Sequence, residues 1–171
     1  MLYYNAVMTE FFPSDTHDHA QCEMQALQRA EALCKARGAR LTDIRRQVLE
    51  LVWKSHVPVG AYDLLDQLNA NGKKTQPPTV YRALEFLLEQ GLIHRIESQN
   101  AFIGCTDPEH DHVGQFLICR DCGTAAELVD TRIDEAISAG ANDVGFRVEH
   151  PTVELEGTCA QCRVSLKGKP V

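Results

Sequence analysis

PPTVYRALEFLLEQG (77–91) runs straight into LIHRIE (92–97), the polar SQN (98–100) and AFIGC (101–105). Proline is tolerated in the first turn of a helix, where its missing N–H would have no partner, so Pro77 and Pro78 mark a start rather than a break. Val80, Leu84, Leu87 and Leu88 recur at helical spacing as the expected buried stripe, and Gly91 closes the helix. The apolar runs flanking SQN predict a two-stranded hairpin.

Upstream, MQALQRAEALCKARG (24–38) has helical composition from about Glu23 and stops at Gly38. RLTDIRRQVLELVWKS (40–55) follows, with Thr42 as its N-cap and Ile44, Val48, Leu51 and Val52 at helical spacing. GAYDLLDQLNANG (60–72) predicts a third helix with Leu64, Leu65 and Leu68 inward and Gly72 at its end. Short helices followed by a hairpin give the order of a winged helix-turn-helix. Downstream of TDPEHDHVG (106–114), which reads as a hinge, QFLIC, AAELV and FRVEHPTVELEG are expected strands, with TRIDEAISAGAN a helix between the second and third. The fold class is therefore α+β.

Of the 171 residues, 44% are hydrophobic, enough for a buried core. No apolar run approaches the ~20 residues that a membrane-spanning helix needs. MLYYNAVMTEFF at the start has neither the basic residues nor the cleavage site of a secretory signal. We expect a soluble, cytoplasmic protein, with residues 1–20 a loose acidic tail and Met8 an alternative start. The net charge of −7 is unevenly spread. Residues 28–97 hold 11 Lys and Arg against 8 Asp and Glu, whereas residues 98–171 hold 6 against 12. A mildly basic module is joined to an acidic one.

Seven cysteines in a cytosolic protein point to metal or redox chemistry rather than disulfides. Cys119 and Cys122 form one CxxC pair and Cys159 and Cys162 another, with 36 residues between the pairs. Each pair offers two thiolates from one tight knuckle, and two knuckles complete a tetrahedral sulfur shell for structural zinc. A redox CxxC would open a helix and need no second pair. An iron centre held by four thiolates shares the same ligands. A filled quartet has no open coordination position, so it stabilises the fold and does no chemistry.

Four more ligand-capable residues surround the hinge: His94, Cys105, His112 and Glu127. Each alone has an ordinary reading, as a surface histidine, a buried small hydrophobe or a solvated strand acid. Together they make a two-nitrogen, sulfur and oxygen shell that suits zinc, and the thiolate disfavours iron or manganese. Spacing alone does not choose between the two readings.

RLTDIRRQVLELV, AYDLLDQL, PPTVYRALEFLLEQGLIHRIES and FLICRDCG…CAQC resemble the ferric uptake regulator family, and within it the zinc uptake regulator branch. The resemblance covers nearly the whole chain from about residue 25. It implies a dimeric, metal-dependent repressor with a winged-helix DNA-binding domain (1–104), a hinge (105–113) and an α/β dimerisation domain (114–171). It further implies that Cys119, Cys122, Cys159 and Cys162 hold structural zinc and that His94, Cys105, His112 and Glu127 hold regulatory zinc. A further metal site of the family would draw on His110, Asp111 and His150, for which the solvated reading is favoured. Two zinc ions per chain are expected, with a third left open. Iron- and peroxide-type members carry a longer histidine cluster near the first CxxC. Here six residues separate His112 from Cys119.

On the helix 77–91 the face set toward a major groove would carry Thr79, Tyr81, Arg82 and Glu85. Arg82 can donate bidentately to guanine, and Tyr81 can pack on a thymine methyl or bond a phosphate. Tyr62, Arg40, Arg45 and Arg46 are expected phosphate contacts. The expected partners are double-stranded operator DNA and a second copy of the chain, with no membrane and no small-molecule substrate. No HExxH is present, nor HxE paired with PCxxC, so an enzyme is not expected. A zinc-ribbon scaffold would need neither His94 nor Arg82. His17, His19 and Cys22 read as tail, Cys34 as packing, and His56 as having no evident partner.

Overall fold

The computed structural model describes residue 12 and residues 19–70, 74–110 and 112–167. Most of the expected tail, including His17, lies outside the described residues, as do Gly72 and Asp111. The first half comprises α1 (His19–Ala36), α2 (Asp43–Trp53), β1 (Val59–Gly60), α3 (Ala61–Ala70), α4 (Pro77–Glu89), β2 (Ile93–Ile96), a 3-10 turn (Glu97–Gln99) and β3 (Ala101–Gly104). The second comprises β4 (Gln115–Cys119), β5 (Ala125–Leu128), α5 (Thr131–Asp143), β6 (Val153–Gly157) and α6 (Ala160–Lys167). Mixed helix and sheet is as expected.

Helix α4 starts on its two prolines, with Gln76 extended before them, and the chain turns at Gly91 with φ +64°. Its buried residues are Val80, Ala83, Leu84, Phe86 and Leu87. Leu88, expected in that stripe, is exposed. It follows Leu87 by one residue and so sits ~100° around the helix from it, while Ala83 and Phe86 fill the inward positions. The α1–α4 side chains form one core with Leu92, Ile93 and Phe102. Strands β2 and β3 pair antiparallel as the expected hairpin, from Ile93 opposite Gly104 to Ile96 opposite Ala101. Two-residue β1 adds to β3, an element too short to leave a period in the sequence.

The second sheet has the order β5-β4-β6. β4 and β5 are antiparallel, whereas β4 and β6 run parallel, a pairing that requires the crossover through α5. The third expected strand is confined to Val153–Gly157, and α6 was not anticipated. Ile96 and Ile103 of the first sheet pack with Phe116, Ile118 and Ala125 of the second in a separate small core. This junction presses the hairpin onto the second sheet. Among the described residues, no helix is long and apolar enough to cross a membrane.

Candidate metal centres and nucleic-acid interface

Parallel pairing of β4 and β6 sets Cys119 opposite Gly157, which carries both CxxC knuckles to one end of the sheet. The four sulfurs of Cys119, Cys122, Cys159 and Cys162 lie within 4.8 Å of one another. Gly123 shapes the first knuckle: at φ +74° its amide donates to the Cys119 carbonyl at 2.9 Å. Burial works against a Cys119 thiolate, but the amides of Cys159, Cys122 and Asp121 outweigh it and hold its pKa at about 6. Bonding to Cys159, then burial and the other sulfurs, pushes the Cys162 thiol up. The protein stabilises one negative sulfur by itself, and a divalent cation is what a fully ionised quartet requires. The donor set fits zinc.

The second cluster gathers donors from both halves. His94 stands on β2, Cys105 one residue past β3, His112 in the connecting segment and Glu127 on β5, and their ligand atoms lie within 4.8 Å of one another. His94 Nε2 and His112 Nε2 each lie 2.7 Å from Glu127 Oε1. Cys105 Sγ is 3.7 Å from His112 Nε2. The other carboxylate oxygen, Oε2, accepts from the Thr106 amide at 2.9 Å and the Thr106 hydroxyl at 2.6 Å. His112 Nδ1 is 2.8 Å from the His110 carbonyl. A carbonyl only accepts, so Nδ1 carries the hydrogen and Nε2 is aimed into the cluster.

Burial raises the Glu127 pKa, but His94 and Thr106 more than offset it and hold the carboxyl at about 2. Burial, then the Glu127 charge, drives the Cys105 thiol up to about 12. Burial lowers His112, yet the His110 carbonyl and Glu127 prevail and its pKa is raised. Two imidazole nitrogens, a thiol and a buried carboxylate pre-oriented around one point fit a zinc ion, with four protein donors and a fixed outer bond on His112. A cleft lined by Arg37, Gln90, His94, His110 and His112 leads to the cluster from solvent. A separate cavity of about 380 Å³ lies behind it, with Trp53, Ile103 and Ala126 among its lining residues and Cys105 and Glu127 on its wall.

The other candidates fall out unevenly. His110 pairs with Asp107 at 2.9 Å, and neither His110 nor His150 joins a group of three donors among the described residues. His19 opens α1 instead of belonging to a tail, and its ring packs edge-on against that of His56 at 4.8 Å, giving His56 a neighbour the sequence did not reveal. Cys34 is buried in the helical core. Thr79, Tyr81 and Arg82 are exposed on α4, as are Tyr62 on α3 and Arg40. Arg45 is stacked 3.6 Å over the Phe86 ring and donates to the Arg40 carbonyl at 2.6 Å. Arg46 is held by Glu31 and, at 3.0 Å, by Glu50. Sequence reasoning missed the clamp on the connecting segment, where Arg37 donates to the Gln90 and Pro108 carbonyls and Arg29 to that of Thr106. It also missed Thr106, whose only signal was its place beside Cys105.

Fold and clusters define a winged-helix metalloprotein whose second half is a sheet carrying a four-cysteine site. The ferric uptake regulator family matches residues 36–156, and the chain belongs to it. Among its relatives are zinc uptake regulation proteins. That of Escherichia coli K12 is 38% identical over 139 residues, 81% of each chain. That of Mycobacterium tuberculosis H37Rv is 30% identical over 131 residues, 75% of this chain and 98% of the relative. A solved zinc uptake regulator complexed with zinc and DNA superposes with a TM-score of 0.80 at 36% identity, covering 86% of this chain and 98% of that one.

Proposed function

We propose that the chain is a cytoplasmic, zinc-responsive transcriptional repressor that binds operator DNA as a homodimer and represses zinc-uptake genes. The observation that carries this reading is the cluster His94, Cys105, His112 and Glu127, which ties the winged helix to the second sheet through one point. His94, Cys105, His112 and Glu127 would hold a zinc ion there, which would cross-link the two halves. His94 sets the hairpin, Cys105 the end of β3, His112 the connecting segment and Glu127 the second sheet. Occupancy thereby biases the orientation of the DNA-reading face relative to the dimerisation unit, as a ligand-driven shift requires. The Cys105 sulfur favours zinc over iron or manganese. The Cys119, Cys122, Cys159 and Cys162 quartet holds a second, structural zinc.

α4 offers Thr79, Tyr81 and Arg82 to base edges, and Tyr62 and Arg40 reach phosphates. Val144, Phe146, Leu155 and Val164 are all more than half exposed on and around α5, β6 and α6, and α5 has no buried residue. These exposed apolar side chains serve the dimer contact, and a two-fold dimer reads a partly palindromic site. The test is operator binding by fluorescence anisotropy at buffered free zinc, with the quartet kept loaded. A steep gain with zinc that Cys105→Ala removes supports the sensor; tight binding indifferent to zinc refutes it while leaving a DNA-binding protein.

A further inference from the structure

The second sheet places Glu127, Phe116 and Glu154 in one row, directly opposite one another across β5, β4 and β6. Directly opposed residues share a face of a sheet, and all three here turn toward the first half of the chain. Glu127 meets His94 and His112 in the hinge cluster. The Phe116 ring packs edge-on against the His94 ring at 5.4 Å. Glu154 reaches the tip of the hairpin, where its Oε1 accepts from the Glu97 amide at 2.6 Å and its Oε2 from the Ser98 amide at 3.1 Å. Those two amides open the 3-10 turn that joins β2 to β3 and ends on Asn100 in the left-handed region, at φ 48°.

The first N–H groups of such a turn have no partner within it. A carboxylate placing one oxygen on each is a charge-assisted cap that also fixes direction. His94 and Glu97 are three residues apart, so the two attachments are spaced ~10 Å along the hairpin. The apolar junction of Ile96 and Ile103 with Phe116 and Ile118 holds the hairpin against the sheet without a directional bond, and the polar attachments at its base and tip define its axis.

We propose that Glu154 is a positioning residue that fixes the wing of the DNA-binding half on the sheet carrying Glu127, so that zinc bound at His94 sets the wing's direction. This rests on the hinge cluster being the zinc sensor. Glu154 touches neither cluster, and its role is to convert metal occupancy into the correct presentation of the hairpin to DNA.

The experiment compares the full-length dimer with Glu154→Ala and Glu154→Gln. It reads hinge-zinc affinity by chelator competition, operator affinity at saturating zinc by anisotropy, and zinc content and melting as controls. Glu154→Ala should keep two zinc ions per chain and near-native zinc affinity, yet lose about tenfold or more in operator affinity, within the usual range of coupling between sites. Glu154→Gln keeps one accepting oxygen and should fall between. Unchanged operator affinity in Glu154→Ala overturns the proposal, because the turn then holds itself. Loss of zinc affinity in step with operator affinity also overturns it, placing Glu154 in the support of the metal centre. Wild-type binding that ignores zinc is a different result, and it sinks the sensor reading instead.

Discussion

The indole of Trp53 fills the space that a Cβ on Gly104 would need, with its nearest atoms 2.2–2.6 Å from such a carbon. Gly104 ends β3 and precedes Cys105, so α2 and the metal cluster meet through a residue that has no side chain. Gly104→Ala should destabilise the protein by about 1–3 kcal/mol through overpacking. It should also weaken hinge-zinc binding, because the backbone shift falls next to a ligand. Denaturant unfolding combined with zinc competition checks both effects.

The two clusters should fail independently. His112→Ala or Glu127→Gln should lower zinc content from two ions per chain to one, abolish zinc-dependent operator binding and leave the dimer intact. Metal analysis after gel filtration, followed by anisotropy, reads each outcome. A variant that keeps both ions with native zinc affinity shows that the substituted side chain is not a zinc ligand.

Cys119→Ser or Cys162→Ser removes a quartet ligand and should cost far more than the hinge variants. Neither α5 nor β6 has a buried residue, so the metal that ties the β6 end to β4 should supply a large part of the second half's stability. We expect loss of the dimer and of circular dichroism from the second half. A native-like, dimeric Cys162→Ser would show that apolar packing suffices there.

Protons should report the ligands. With its pKa at about 12, Cys105 is protonated at neutral pH and must release a proton to bind zinc, whereas Glu127, at about 2, has none to give. Raised His112 releases a second proton where the solution lies below its pKa. Hinge affinity therefore rises with pH, and Cys105→Ala should remove one proton from the count in calorimetry across buffers of different ionisation heat. In the metal-free protein the signs differ by group. Depressed Glu127 contributes stability above its ordinary 4.5, lost as pH falls toward 2, while raised His112 contributes below 6.5, lost as pH rises through its folded value. The difference in melting temperature between wild type and Glu127→Gln should be largest between those two ordinary values.

On the DNA side the arginines should separate. Arg82→Ala should cost about 1–3 kcal/mol and relax base preference at one operator position. Arg46→Ala should change operator affinity little, because Glu31 and Glu50 already hold its guanidinium. A competition series of operator variants distinguishes the two.

What could be read from the sequence was whatever obeys a short period or a fixed spacing. The proline-started α4, the hairpin around SQN and the two CxxC pairs each have a local signature. His94, Cys105, His112 and Glu127 stood out as candidates because thiol, imidazole and carboxylate crowd one boundary, but only the family resemblance singled them out as a set. Glu154 was not legible, for it acts on amides 56 and 57 residues away, and only the β4–β6 register brings it there. β1 is two residues long, and His19 looked like tail because its neighbour, His56, belongs to the loop that follows α2. Leu88 misled because each residue turns the helix by ~100°, and Ala83, Leu84, Phe86 and Leu87 already fill the inward side.

The quartet also has an order in time. Cys119 and Cys122 are made well ahead of Cys159 and Cys162, and at roughly 5–20 residues per second the 36 residues between the pairs take on the order of two to seven seconds. Throughout that time the winged half can fold, while the first knuckle holds two thiols and no partners. During that interval the quartet cannot be completed, and nothing yet ties β6 to β4 at the Cys119 end. The last knuckle to emerge supplies the remaining two sulfurs of the quartet.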